Sequence, residues 1–285
     1  MGILNDAFKR VSNKQFMIQS DVLLSNMLTI LKSASGDVND STTLDIFLAV
    51  PFTFDNRDFD TSATIVFESA ASKPNINWLI DANATADKND PSAPVPLNSE
   101  VETYLDHILS IYNVSDKILL VSMIADTIDM DLDARNGISE IAAENVDFTQ
   151  GSIYDYHHFR QVLEAYERIT LDSSVEHIPW ESLIGFTNTS LDFNHIKPEV
   201  LRLLVPQMTP EEIALMTTER LEVYNTLDEL SFDEEDKKRL EALHVVFYDP
   251  GVEGDILIKN GERQLHVTFL YNLSSKKVSD IEISQ

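Results

Sequence analysis

The sequence predicts an α+β chain: a long N-terminal helix on an antiparallel sheet, with a large all-α domain inserted between strands. Three observations predict it. Residues 3–33 contain neither Pro nor Gly and are rich in helix formers. Period-two segments lie near both ends, at 45–80 and 245–283. Between Ser99 and His244 the pattern changes to short, capped helices. The expected division is 1–96 for the helix and first strands, 97–243 for the helical insert, and 244–285 for the returning strands.

In the first helix Leu4, Phe8, Val11, Ile18 and Val22 follow a helical stripe, and after Phe16 apolar residues spread around the circumference. Ser35-Gly36-Asp37 ends it. Alternation over 45–54 predicts a strand, with Pro51 confining it to an edge or bulge. Further strands are expected at 64–69 and 76–80, and 81–96 reads as the loop out of the sheet. Ser99-x-x-Glu102 has the form of a capping box, and Ser115 or Asp116 opens the next helix. Helices follow at 159–169 and 179–185. Pro198 suits a first helical position, and Thr209-Pro210-Glu211-Glu212 combines an N-cap, a first-turn Pro and a capping-box Glu. Thr226-x-x-Glu229 and Ser231-x-x-Glu234 repeat that signal. Strands return at 245–249, 255–259, 263–271 and 278–283, the middle two flanking the hairpin dipeptide Asn260-Gly261.

Charge narrows the function classes. The 285 residues hold 21 Lys and Arg against 48 Asp and Glu, a formal net charge of -27 that repels phosphate backbones and anionic lipid and attracts divalent cations. With no cysteine, disulfides, thiolate metal sites and a Cys nucleophile are excluded. No stretch approaches 18 uncharged apolar residues, and no signal peptide is evident. Met1-Gly2-Ile3-Leu4 reads as a native start or as a leader joined to a truncated chain. None of the seven histidines forms HExxH or an i, i+4 pair, and no GxSxG, Walker loop or GxGxxG occurs. An acidic, metal-dependent hydrolase stays open as an alternative without a named nucleophile. So does a helix-hairpin-helix module over 191–230, although its hairpin, Val205-Pro206-Gln207-Met208-Thr209, has no Gly and lacks one N–H.

The most distinctive stretch is 126–140. Asp129, Asp131 and Asp133 alternate, Glu140 lies eleven positions after Asp129, and the Arg135 carbonyl falls at the seventh place of an EF-hand-like spacing. Ala134 stands where that loop needs Gly, so any turn must differ. Three carboxylates at about 4 Å would repel by roughly 4 kcal/mol per pair at an effective dielectric of 20, which a bound cation would reverse. A solvated acidic turn is the plainer reading of the same residues.

Two segments in order resemble the K-type minor pseudopilin of type II secretion systems, general secretion pathway protein K. They are Asp126-Thr127-Ile128-Asp129-Met130-Asp131 with Gly137-Ile138-Ser139-Glu140, and Leu191-Asp192-Phe193-Asn194-His195-Ile196. The chain departs from the family pattern where Thr127 replaces Trp and Ile138-Ser139-Glu140 replaces an Ala-Glu-Asp-like turn. The resemblance implies a pseudopilin fold with an inserted α-domain, calcium in that insert, and a non-enzymatic role at the pseudopilus tip. Other minor pseudopilins would be met through the N-terminal helix, and nucleic acid would not be a partner. Asp129, Asp131 and Glu140 are selected by both motif and spacing, Asp133 and Arg135 by spacing, and Asp126 and Asn194 by motif position. Family members carry a processed leader and a hydrophobic helix. The expectation is therefore a truncated chain, the periplasmic part of an inner-membrane-anchored protein.

Overall fold

The computed structural model describes residues 18, 20–56, 61–80 and 95–284. Contacts divide the chain into two units, Met1–Ala70 with Tyr248–Gln285, and Ala71–Phe247. Each has its own hydrophobic core. The sequence reading drew the corresponding boundaries at 96/97 and 243/244.

In the first unit, helix α1 (residues 20–34) buries Met27 and Leu31 in the core, while Val22 and Ile30 are exposed. The earlier stripe residues Leu4, Phe8 and Val11 lie outside the described residues, as does most of the loop expected over 81–96. Helix α2 (Ser41–Ala49) occupies the place where a strand was expected. The reason is local. Asp40 accepts Thr43 N at 2.8 Å while the Thr43 hydroxyl bonds back toward Asp40, a reciprocal cap that starts a helix before the alternating run begins. Leu44 and Phe47, three apart, are then buried, and Ile46 faces solvent. Strand β1 (Phe52–Asn56) follows Pro51 and is an edge strand, and β2 (Thr61–Ser69) pairs with it.

The second unit opens with a 3-10 turn, Ile76–Leu79, in place of the expected third strand. The Asn75 side chain accepts Asn77 N and so fixes a turn where the sequence shows only a short apolar run. Helix α3 (Ser99–Ile111) is capped by Asn98, one residue before the expected Ser99. Asp116 caps α4 (Lys117–Ile128), which is buried on nearly every side. Helices α5 (Ile141–Glu144), α6 (Tyr156–Thr170) and α7 (Trp180–Leu183) follow, and then the two-residue β3 (Leu191–Asp192). Pro198 begins α8 (Pro198–Leu204), and the Thr209–Glu212 capping box opens α9 (Pro210–Met216) as the sequence predicts. Thr226 makes no side-chain cap, and Asp233 rather than Ser231 caps α10 (Glu234–Ala242). Strand β4 (Val245–Val246) pairs in parallel with β3.

The chain then returns to the first unit as β5 (Gly251–Asn260), β6 (Arg263–Asn272) and β7 (Lys277–Ser284). The five-stranded sheet runs β1-β2-β5-β6-β7, every pair antiparallel. In sequence, residues 71–247 thus fall between β2 and β5, two strands that pair with each other. Asn260 pairs with Arg263, so the hairpin loop is Gly261-Glu262, one residue beyond the expected dipeptide. Gly261 holds φ +58, the conformation that glycine adopts without strain. Leu265, Val267, Phe269 and Tyr271 all face the core, as their spacing predicts. They pack there with Leu44 and Phe47 of α2 and with Met27 and Leu31 of α1.

Candidate metal centre

The acidic stretch begins where α4 ends. Asp126 sits in the last turn of that buried helix and is itself only 1% exposed. Asp129 caps the helix C-terminus and is also buried. Beyond it the chain steps outward through short Asx-type turns: Asp131 N donates to Asp129 Oδ1 at 3.2 Å, and Asp133 N to Asp131 Oδ1 at 2.9 Å. Asp131 and Asp133 are exposed. The loop reverses at Gly137, with φ +55, and not at Ala134. Ser139 and Glu140 then return to the interior ahead of α5.

Arg135 closes this loop with its side chain. Its Nη2 donates to Asp129 Oδ2 at 2.6 Å and its Nη1 to the Val95 carbonyl at 2.7 Å. Its Nε lies 3.0 Å from Asp126 Oδ1, in charge contact but not aligned for a hydrogen bond. The other Asp126 oxygen accepts Arg135 N at 3.0 Å and the Ser139 hydroxyl. Spacing alone casts the Arg135 carbonyl as a ligand; it is the guanidinium that enters the cluster.

Glu140 is the group left over. Its Oε1 accepts Ala142 N at 3.1 Å and Gln150 Nε2 at 2.9 Å, and the same Gln150 amide donates to the Asp131 carbonyl at 2.7 Å. Its Oε2 is buried and has no hydrogen-bond partner. Burial raises the Glu140 pKa, and the charges of Asp126, Asp129 and Asp131 raise it further against the Ala142 hydrogen bond. Burial likewise raises Asp126, and only its bonds to Ser139 and Arg135 offset this.

The donors here are oxygens and carboxylates outnumber the single guanidinium, the donor type that hard divalent cations take. Asp129, Asp131 and Glu140 are the residues that the sequence selects to hold such an ion. As the side chains stand, no three acids or histidines among the described residues converge as a ligand set. Asp126 is committed to Ser139 and Arg135, and Asp133 points its backbone, not a buried carboxylate, into the network.

Asn194 is elsewhere in its bonding. Its amide nitrogen donates to the carbonyls of Tyr224 and Phe247, and its oxygen accepts Tyr224 N and Arg220 Nη1. Both faces of the amide are used in joining loops of the helical unit, which makes it a structural residue. The sequence reading missed Ser139 and Gln150 as partners of this loop. Ser139 lies within the motif that was singled out, whereas Gln150 follows a segment with no periodicity.

No family model matches the chain, and no curated protein matches it. Among solved structures, a chain of the GspK-GspI-GspJ complex from the type 2 secretion system of enterotoxigenic Escherichia coli is similar. Its TM-score is 0.62 at 15% identity, over 96% of this chain and 99% of that one. The fold is that of the matched chain of this complex. At such identity the likeness carries the fold and not the roles of single residues. Among the described residues no helix is long and apolar enough to cross a membrane.

Proposed function

We propose that this chain is a non-enzymatic minor pseudopilin that acts at the tip of a type II secretion pseudopilus. The observation that carries the reading is the shared fold with a chain of the GspK-GspI-GspJ complex over nearly the full length of both. In this role the chain starts or caps the fibre, and the bulk of residues 71–247 blocks a further subunit above it. It meets other minor pseudopilins through the N-terminal helix, on which Ile18, Val22 and Ile30 present exposed apolar side chains. It works in the periplasm as the outer part of an inner-membrane-anchored protein. Calcium held by Asp129, Asp131 and Glu140 makes the acidic loop rigid, at the modest affinity of extracellular sites, on the order of 10⁻⁴ to 10⁻³ M.

Co-expression with minor pseudopilins of the I and J types tests the assembly role. The chain should co-purify with them, and Val22→Lys should weaken the complex. Recovery of the wild-type chain alone under every condition would refute it. Thermal unfolding with calcium and then with chelator tests the metal separately. The midpoint should rise with calcium in the wild type and stay unchanged in Asp129→Ala.

A further inference from the structure

We propose that the helical unit carries a docking cleft for a basic amphipathic helix of a protein partner, lined by Met208, Leu215, Met216, Tyr224 and Phe232 and rimmed by acids. The cleft shares no lining residue with the acidic loop at 126–140, and its use does not depend on calcium.

The cleft encloses about 470 Å³, inside the span of roughly 300–1,000 Å³ usual for binding clefts. Part of its lining comes from the turn after α8 and from α9, as Met208, Leu215 and Met216; the rest comes from Tyr224 and the start of α10. Leu215 is 58% exposed, so an anchor for an apolar surface stands open to solvent. The two methionines, unbranched and polarizable, can mould to apolar side chains of varied shape. The aromatic side is fixed before any partner arrives. Phe193, fully buried, packs against the rings of Tyr224 and Phe232 with centroids 5.7 and 5.9 Å away. Asn194 donates to the Tyr224 carbonyl and accepts Tyr224 N, each at 2.8 Å, so it holds that stretch of backbone in place. Gln207 Nε2 donates to Asp236 Oδ2 and ties the turn after α8 to α10.

Charge selects the occupant. Residues 211–236 hold ten Asp and Glu and a single basic residue, Arg220. Glu212 and Asp233 line the cleft itself. Their carboxylates bond to backbone N–H groups at the starts of α9 and α10, which fixes the side chains and leaves their charge uncancelled. Such a rim draws a cationic partner and repels phosphate, so nucleic acid does not fit it. Residues of α9 and α10 use their backbone groups within their own helices, so neither offers a strand edge. The partner is therefore read through side chains, in the helix-in-groove manner. Its apolar stripe fills the cleft, and flanking Lys or Arg meets the rim.

The test is fluorescence anisotropy of the full chain with a labelled synthetic helix that has Leu at i, i+3, i+4 and i+7 and Lys on its other face. An acidic protein attracts any cationic peptide, so two variants of equal charge change are compared. Leu215→Lys, at the cleft, should weaken binding about tenfold or more, the scale of losing an apolar anchor. Ile118→Lys, at a 74% exposed position of α4 outside the cleft, should weaken it less than about twofold, as a distant surface charge does. Ser231→Lys, on the other side of the cleft, should act as Leu215→Lys does and decides the matter should Leu215→Lys fail to fold. Equal weakening by the cleft and remote variants overturns the proposal, leaving general charge attraction. So does equal binding of a control peptide with serine in place of leucine. Absence of saturable binding to the wild-type chain overturns it as well, as would tighter binding of a DNA duplex than of the peptide.

Discussion

Glu140 illustrates how a single buried side chain can be costly to the fold. Its pKa stands above the ordinary 4.5 because burial disfavours the charge and Asp126, Asp129 and Asp131 repel it. As pH rises, the unfolded chain loses the Glu140 proton first, so this group lowers folded stability through the interval between 4.5 and its raised folded pKa. Glu140→Gln should consequently stabilise the metal-free chain by about 1 kcal/mol at neutral pH, the scale of relieving one poorly satisfied buried group. The gain should vanish below pH 4 and be seen by urea unfolding in chelator; the same variant should lose the calcium response. Asp172 behaves with the opposite sign. Burial raises it, but hydrogen bonds from Ser115 and Ser174 outweigh that and hold it far below the ordinary value. Its contribution is present above the ordinary Asp range and disappears as pH falls below it. Asn194→Ala should cost about 3 kcal/mol, since Tyr224 and Phe247 would be left with unpaired backbone groups. The carboxylates of this site were legible in the sequence because they recur at fixed spacing. The Arg135 side chain was not, because spacing assigns a backbone position and says nothing of where a long side chain turns.

At the level of elements, capping signals located some helix starts and missed others: Asn98 and Asp233 cap where Ser99 and Ser231 were expected, and Thr226 makes no side-chain cap. Pro198, Asp116 and the Thr209–Glu212 box mark helix starts in the sequence and in the structure alike. Each acts through geometry within four residues of the helix start. The alternating run from Asp45 misled because alternation over so few residues also fits a helix, and the Asp40–Thr43 cap upstream settles the matter. Asp40→Ala should therefore cost about 1 kcal/mol in chemical unfolding. Strand packing makes a harsher demand at Gly254, where a Cβ would lie 2.4 Å from Cζ of Phe269 on the neighbouring strand. Gly254→Ala should lose about 1–3 kcal/mol, the range for overpacking a filled core, by the same measurement.

For the whole molecule, the core residues of each unit come from that unit alone: Ile76 to Leu243 in one, Met27 to Leu273 on either side of it in the other. Residues 71–247 expressed alone should then unfold in one cooperative transition and keep the calcium response; a chain without a melting transition would show that the helical unit depends on the sheet. The net charge of -27 belongs to the same scale. No mobility shift of DNA is expected even at low salt, despite the paired short helices α8 and α9. Composition, caps and the period-two strands 263–271 and 278–283 were enough to determine an α+β chain, the helical middle and an acidic loop. Those features follow from forces acting between near neighbours. Only the tertiary structure decided that 71–80 sides with the helices, that the Asn194 amide joins loops, and that Arg135 lies against Asp126 and Asp129. Each of these turns on contacts between segments far apart in the chain, whose geometry no local pattern contains.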